Sequence, residues 1–318
     1  TFHSAVPSGF LALCTANLEE PTIGPNSDTQ ADDHFGTLIY TGNGTSRDIV
    51  SGATGIGGEI SFKPDWIWQK SRSQTHDHFS IDSSRGIDQL LKISLDSPAA
   101  EASGGNNFTK AFLSNGVTIG TDGVLNNNGS TYLLWNWKAN GSTTTTNDAS
   151  STGVGDIDSV YQANTTAGFS IVTWTGNGDN TNNTIAHGLG LTPAMHITKS
   201  RSTNSSGHWM VWHQAVADTR DNLFLNLSNA TNAQGFGGST PTNNSTVFET
   251  SQTSYTNVNG DNYVSYVFAE IEGYSKFGSY TGNGDNDGAF VYLGFRPTFI
   301  MTKRAVGGTS NWVIQDSV

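Results

Sequence analysis

The feature that most constrains this chain is a repeat. Tyr40-Thr41-Gly42-Asn43-Gly44, Trp174-Thr175-Gly176-Asn177-Gly178 and Tyr280-Thr281-Gly282-Asn283-Gly284 share one pattern. In a chain with 37 glycines among 318 residues the pattern alone says little, but its continuation is the same each time. Each copy runs on to a proline and, six residues later, a lysine: Pro64 and Lys70, Pro193 and Lys199, Pro297 and Lys303. Arg72, Arg201 and Arg304 follow, and an aromatic comes nine or ten residues past the lysine, at Phe79, Trp209 and Trp312. Self-similarity on this scale marks a supersecondary unit that needs a neighbour to cover its apolar face.

Two copies stay parallel further. Tyr132-Leu133-Leu134-Trp135-Asn136-Trp137 in the first matches Tyr263-Val264-Ser265-Tyr266-Val267-Phe268 in the second. The pattern restarts through Gly168-Phe169-Ser170 and Gly273-Tyr274-Ser275. This divides the chain into repeats at 37–139 and 168–272 and the first half of a third at 273–318. Residues 140–167, rich in Thr, Ser, Asn and Gly, read as a linker or long surface loop. Residues 1–36 read as the last strand of an upstream module, Phe10–Leu13, plus a linker. Half a sheet leaves an apolar face uncovered. The expectation is therefore that the chain continues at both ends, or that another segment completes the third unit.

The residues after each proline alternate. One face holds Trp66, Met195 and Phe299, then Trp68, Ile197 and Met301; the other is mixed. A period of two with one apolar face predicts a half-buried antiparallel strand. Strands are also expected at 37–40, 59–62, 78–82, 108–113, 132–138, 169–174, 208–213, 222–227, 263–269, 290–293 and 312–315. Asn-Gly and Asp-Gly turns separate many of them. Only Gly86–Ile93 has a helical spacing. Many short strands between Gly/Asn turns mean an all-β fold of antiparallel sandwich modules.

Composition narrows the function classes. The net charge is −12 and only 13% of residues are charged, against about 25% in ordinary domains. An acidic chain is a poor nucleic-acid binder, and no apolar run is long enough to span a membrane as a helix. Eight Trp and sixteen Phe supply real cores. Cys14 is the single cysteine, so no intrachain disulfide forms, and its apolar neighbours make it a buried thiol.

No residue set assembles a known chemistry. Glu270 and Glu272 would share a strand face, as paired carboxylates of a glycosidase must share a cleft, but their counterparts in the first repeat are not acids. His76 and His78 alternate and His208 matches His78, yet the third copy has Asn311 there, which weakens a zinc reading. Asp285 and Asp287 are weak calcium candidates in a loop that lacks EF-hand spacing and whose Asx turns are the simpler explanation. There is no nucleophile elbow and no phosphate loop. No catalytic residue and no cofactor is expected. Trp66 and Trp68 read as core, whereas Trp212, without an aromatic counterpart, is the weak candidate for an exposed binding contact.

The stretch from Gly273 to Gly284, continuing through Gly294-Phe295-Arg296-Pro297 and Met301-Thr302-Lys303-Arg304, resembles a repeat of tailed-bacteriophage virion proteins, often tail-fibre or receptor-binding proteins. Ala5-Val6-Pro7-Ser8-Gly9-Phe10-Leu11-Ala12-Leu13-Cys14-Thr15-Ala16-Asn17-Leu18 is similar to the end of a SPRY-like, lectin-type module. The resemblance implies β-sandwich modules in series, a homotrimer, an extracellular place on the virion, and other virion proteins and a host surface glycan or receptor as partners. It implies no catalytic residues, no nucleic-acid partner and no membrane. Three functions follow as expectations: a tail fibre that binds the host surface; a capsid-surface decoration or fibre protein; and, least favoured, a polysaccharide depolymerase.

Overall fold

Alternating apolar residues between glycine turns leave the backbone one economical choice, the antiparallel ladder, and the chain takes it almost throughout. In the computed structural model, residues 21–24, 27–93, 101–179, 181–202, 207–216, 221–231, 242–250 and 255–318 are described. The expected strand Phe10–Leu13 and Cys14 lie outside them. The fold is all-β.

The first repeat contains β1 (Phe35–Thr41), β2 (Arg47–Val50), β3 (Ile56–Glu59), β4 (Trp66–Ser71), β5 (His78–Asp82), β6 (Gln89–Ile93), β7 (Ala102–Ser103), β8 (Thr109–Leu113), β9 (Gly116–Ile119) and β10 (Thr131–Trp137). The second contains β11 (Thr145–Asn147), β12 (Ser159–Asn164), β13 (Phe169–Thr175), β14 (Asn183–Ala186), β15 (Met195–Ser200), β16 (Met210–His213), β17 (Leu223–Phe224), β18 (Val247–Thr250) and β19 (Asn262–Phe268). The third contributes β20 (Phe299–Thr302) and β21 (Val313–Asp316). Two single-turn helices, α1 (Gly123–Asn126) and α2 (Ala149–Thr152), start on the side-chain caps Asp122 and Asp148.

Each complete repeat is a sandwich of unequal sheets. The large sheets run β3-β1-β10-β4-β5-β6-β7 and β11-β12-β13-β19-β15-β16-β17. A small sheet, β2-β9-β8 or β14-β18, covers the back of each. Behind the first, Leu38, Ile67, Ile81 and Tyr132 pack on Ile49, Val117 and Ile119. Behind the second, Val172, Trp174 and Tyr263 pack on Ile185 and Phe248. The front faces of the large sheets meet one another. Trp66, Trp68, Trp135 and Trp137 form one core with Phe169, Met195, Ile197, Trp209 and Tyr266, and Phe299, Met301, Trp312 and Ile314 of the third repeat pack against it. Trp66 stacks on Tyr266 with ring centroids 4.1 Å apart.

The repeats therefore do not stand in series: they close around a common core. The expected half-buried strand after the proline is buried on both faces in β15, because the small sheet covers its back. Residues 140–167 are not a linker, since β11 and β12 extend the second large sheet. Gly86–Ile93 is not a helix: Leu91 and Ile93 face the shared core and Leu90 the back, the alternation of a strand. The strand expected at 290–293 does not form, and Phe290 is 89% exposed.

The ladders also correct the alignment of the copies. Trp66 pairs with Asp82, Met195 with His213 and Phe299 with Asp316. His78, Trp209 and Trp312 are thus equivalent, and Phe79 belongs with Met210. The hairpin loop differs in length between copies, and counting from the lysine hides that.

Candidate functional site

The densest polar constellation lies on the seam between the first two repeats. Arg85 reaches Asp82 at 2.5 Å and Glu101 at 2.7 Å, and Arg201 of the second repeat closes on the other Glu101 oxygen at 2.8 Å. The Tyr266 hydroxyl donates to Asp82 at 2.6 Å and accepts from Arg85 at 3.2 Å. Trp66 Nε1 donates to Ser80 Oγ, whose hydroxyl also meets that of Tyr266 at 2.7 Å. Burial opposes the Arg85 charge, but Asp82, with Tyr266 and Glu101, outweighs it and holds the guanidinium protonated. Burial pushes the Tyr266 hydroxyl well above its ordinary range. The arginine and aspartate side chains are fully buried, so the group fixes one repeat on the other rather than meeting a ligand.

Equivalent strand positions recur at the seams. Trp209 Nε1 donates to the Lys92 carbonyl at 2.9 Å, and its counterpart Trp312 donates to the Phe224 carbonyl at 2.8 Å. The Glu101 amide donates to the Arg201 carbonyl, and the Thr231 amide to the Ala305 carbonyl, both at 3.0 Å. Tyr266 reaches Asp82 as its counterpart Trp135 reaches Asp316, at 3.0 Å. The second repeat thus docks on the first, the third on the second, and the first on the third: a ring of three.

Most residues singled out in the sequence turn out to be structural. Trp212 is not an exposed contact. It is 7% exposed, packs with Met210 and Phe224, and stacks on His196 at 5.5 Å. Its true counterparts are Ile81, which packs toward the small sheet of the first repeat, and the exposed Gln315. His78 accepts from Trp68 Nε1, and burial with Lys70 nearby pushes it down to about 4, so it stays neutral. His208 stands opposite Asn226, away from the position of His78. Among the described residues no three His, Cys, Asp or Glu side chains gather as a metal group. Asp285 and Asp287 are exposed, and Asp285 accepts the Asp287 amide as an Asx turn does. Glu270 and Glu272 lie past the end of β19, where Glu270 pairs with Lys276.

The sequence reading passed over Arg85. Asp65, on the mixed face after the first proline, accepts the amides of Ala139, Gly141 and Ser142 and ties the chain leaving β10 to the start of β4. The proline before Asp65 was a visible signal for it; Arg85 had none. On the surface, a depression of about 610 Å³ beside β3 is lined by polar groups including Ser51, Glu59, Ser61 and Asn115. Among the described residues, Tyr280, Phe290 and Tyr292 of the third repeat are exposed aromatics.

The chain matches the family model described as Domain of unknown function (DUF7483) over residues 30–318, and it belongs to that family. The match begins just before β1 and takes in all three repeats, so the family's unit includes the shared core. No curated protein and no solved structure matches the chain.

Proposed function

We propose that this protein is a structural virion protein, a phage tail fibre that contacts the host surface or its glycans. The observation that carries the reading is the shared core. Three β repeats lock around one aromatic centre, which makes a rigid support for contact loops. The acidic, disulfide-free composition and the resemblance of the repeat to virion proteins support it. Partners would be other virion proteins and a host glycan or receptor, and the assembly a homotrimer. The proposal gives the protein no enzymatic role.

The side-by-side packing makes a knob rather than a shaft. That favours a fibre tip and also suits the second reading, a decoration of the capsid surface. Antibody labelling of intact particles viewed by electron microscopy separates them. Label at the distal tail supports the fibre, and label over the capsid supports decoration. Particles without label overturn both, and turnover of host polysaccharide overturns the non-enzymatic assignment. Light scattering that finds a monomer at micromolar concentration overturns the trimer.

A further inference from the structure

The first repeat carries a segment that the second lacks. Thirteen residues, Ser51–Lys63, separate β2 from Pro64, whereas six, His187–Thr192, separate the equivalent β14 from Pro193. The surplus builds β3, which adds to the outer side of β1. In the second repeat β12, arriving from before β13, takes that place. The sheet edge can therefore be covered without this segment. A turn with left-handed glycines at Gly52 and Gly55, φ 79° and 80°, brings β3 back from β2. The result is the depression of about 610 Å³, which lies between β3 and the β8–β9 turn at Ser114 and Asn115. Ligand sites typically measure about 300–1,000 Å³.

The lining decides what can enter. Asn115 Nδ2 donates to the Ser51 carbonyl at 3.3 Å, and the Ser51 hydroxyl oxygen accepts the Ile60 amide at 3.3 Å. The Ser51 amide donates to the Asn115 carbonyl at 3.0 Å, so the floor is tied from within. The Ser51 hydroxyl proton and the Asn115 Oδ1 acceptor are left for a ligand. Glu59 is exposed, and its carboxylate has no hydrogen-bond or ion-pair partner among the described residues. A carboxylate only accepts, so it calls for donors. No lysine, arginine or histidine lines the depression, and a phosphate, sulfate or carboxylate would meet an unopposed negative charge. An added β-strand is disfavoured as well, because left-handed Gly58, φ 77°, interrupts the flat edge of β3. What fits is a ligand rich in hydroxyls and free of negative charge. The half-buried Ile56 in the wall offers apolar surface to the C–H face of a sugar ring.

We propose that this depression binds a neutral saccharide, with Glu59 accepting adjacent ring hydroxyls and Ser51 and Asn115 fixing a further one. The inference rests on the reading of the protein as a glycan-contacting fibre, and it gives that contact a place and a ligand class. A hydroxyl that donates to a carboxylate makes a hydrogen bond about twice as strong as a neutral pair. Glu59 therefore carries most of the selectivity. No aromatic ring lines the depression, so a single site binds weakly, with a Kd of about 1 mM. Several copies on one particle raise the avidity.

The test applies the whole chain to a printed array of neutral oligosaccharides beside sialylated and sulfated ones, and then titrates the best neutral compound in solution. Neutral spots should bind and acidic ones should not. Glu59→Gln should weaken the titrated compound at least about tenfold, as the loss of a hydrogen bond to a charged group does. Glu272→Gln makes the same charge change at an exposed acid outside the depression and should leave the affinity unchanged. Thermal melts that match the unmodified chain show that both variants fold. Equal binding by Glu59→Gln overturns the proposed site and leaves glycan contact standing. Preference for acidic saccharides overturns the ligand class. If no saccharide binds while antibody labels the distal tail, the inference fails and the fibre reading survives.

Discussion

The three copies of the Gly-Asn-Gly turn share a sequence and a local shape but not their surroundings. The second glycine of each is left-handed, with φ of 71° at Gly44 and 73° at Gly178 and Gly284. In each, the asparagine side chain accepts the amide two residues on, at 2.9, 2.9 and 3.1 Å. Beyond the turn, the copies part. Gly42 and Asn43 dock on the loop before β10, where the amides of Asn43 and Gly44 reach the Asn126 side chain and carbonyl. Asn177 and Gly178 use Asn257 in the same way. A Cβ built on Gly282 would meet nothing within 4 Å among the described residues. The turn is local chemistry, whereas its docking needs the strand that β10 and β19 provide.

That difference can be tested at several sizes. Acid should act first on the two complete repeats, because the third has no histidine. Burial pushes His78 and His187 down to about 4 and His196 to about 3, from 6.5. The unfolded chain therefore binds more protons below pH 6.5. Stability present above that pH is lost as pH falls toward 4, by up to about 1.4 kcal/mol per pH unit for each histidine. Urea unfolding at pH 7 and pH 5 measures this, and equal midpoints would refute it.

Trp66→Ala should cost about 3–5 kcal/mol, since it opens the shared core against Tyr266, Trp137 and Phe169. The equivalent Phe299→Ala, at a half-buried site, should cost less than half as much. Equal losses in denaturant would mean the third repeat is packed as fully as the first.

The three lysines offer a stabilising contrast. Lys70 Nζ donates to the His76 carbonyl, and Lys303 Nζ to the carbonyls of Ser228, at 2.9 Å, and Ser310. Among the described residues Lys199 Nζ, which is buried, has no hydrogen-bond partner, and burial pushes it down to about 8 from 10.5. The folded state therefore carries a cost at neutral pH that is relieved as pH rises from about 8 to 10.5. Lys199→Met should stabilise by about 3 kcal/mol at pH 7, a gain that shrinks across that window. Burial lowers Lys70 as well, but it keeps its carbonyl partner, so Lys70→Met should gain less. A pH-independent gain would show that packing, not charge, was responsible.

The smallest effects return to the turns. A Cβ on Gly42 would lie 2.3 Å from the Asn127 carbonyl oxygen, and one on Gly176 2.3 Å from that of Val258. Alanine at either should cost about 1–3 kcal/mol. Gly282→Ala should stay within about 0.5 kcal/mol in thermal melts. A large effect there would show that the third turn is docked in solution.

Much of the fold was legible because strand periodicity is local. The alternation after each proline places β4, β15 and β20 and their front face correctly, and Trp66 and Trp68 read rightly as core. Trp212 misled because a strand sequence does not say whether its second face is covered. The loop length around His78 differs between copies, so counting from the lysine slipped the alignment by one, and a one-residue slip moves a side chain to the other face. Residues 140–167 misled because an edge strand can be polar. Asp82, Arg85, Glu101 and Arg201 were unreadable as a group, because they come from separate elements and meet only when two sheets face each other.

By itself, then, the sequence determined the all-β class, the three copies, the left-handed turn of each and the apolar stripe of the strand after each proline. These depend on residues within a few positions of one another. Tertiary structure decided that the stripes meet in one core instead of three, that Trp212 is hidden, and that four distant charged residues form a buried lock. Those outcomes depend on which surfaces find each other, and periodicity carries no record of that.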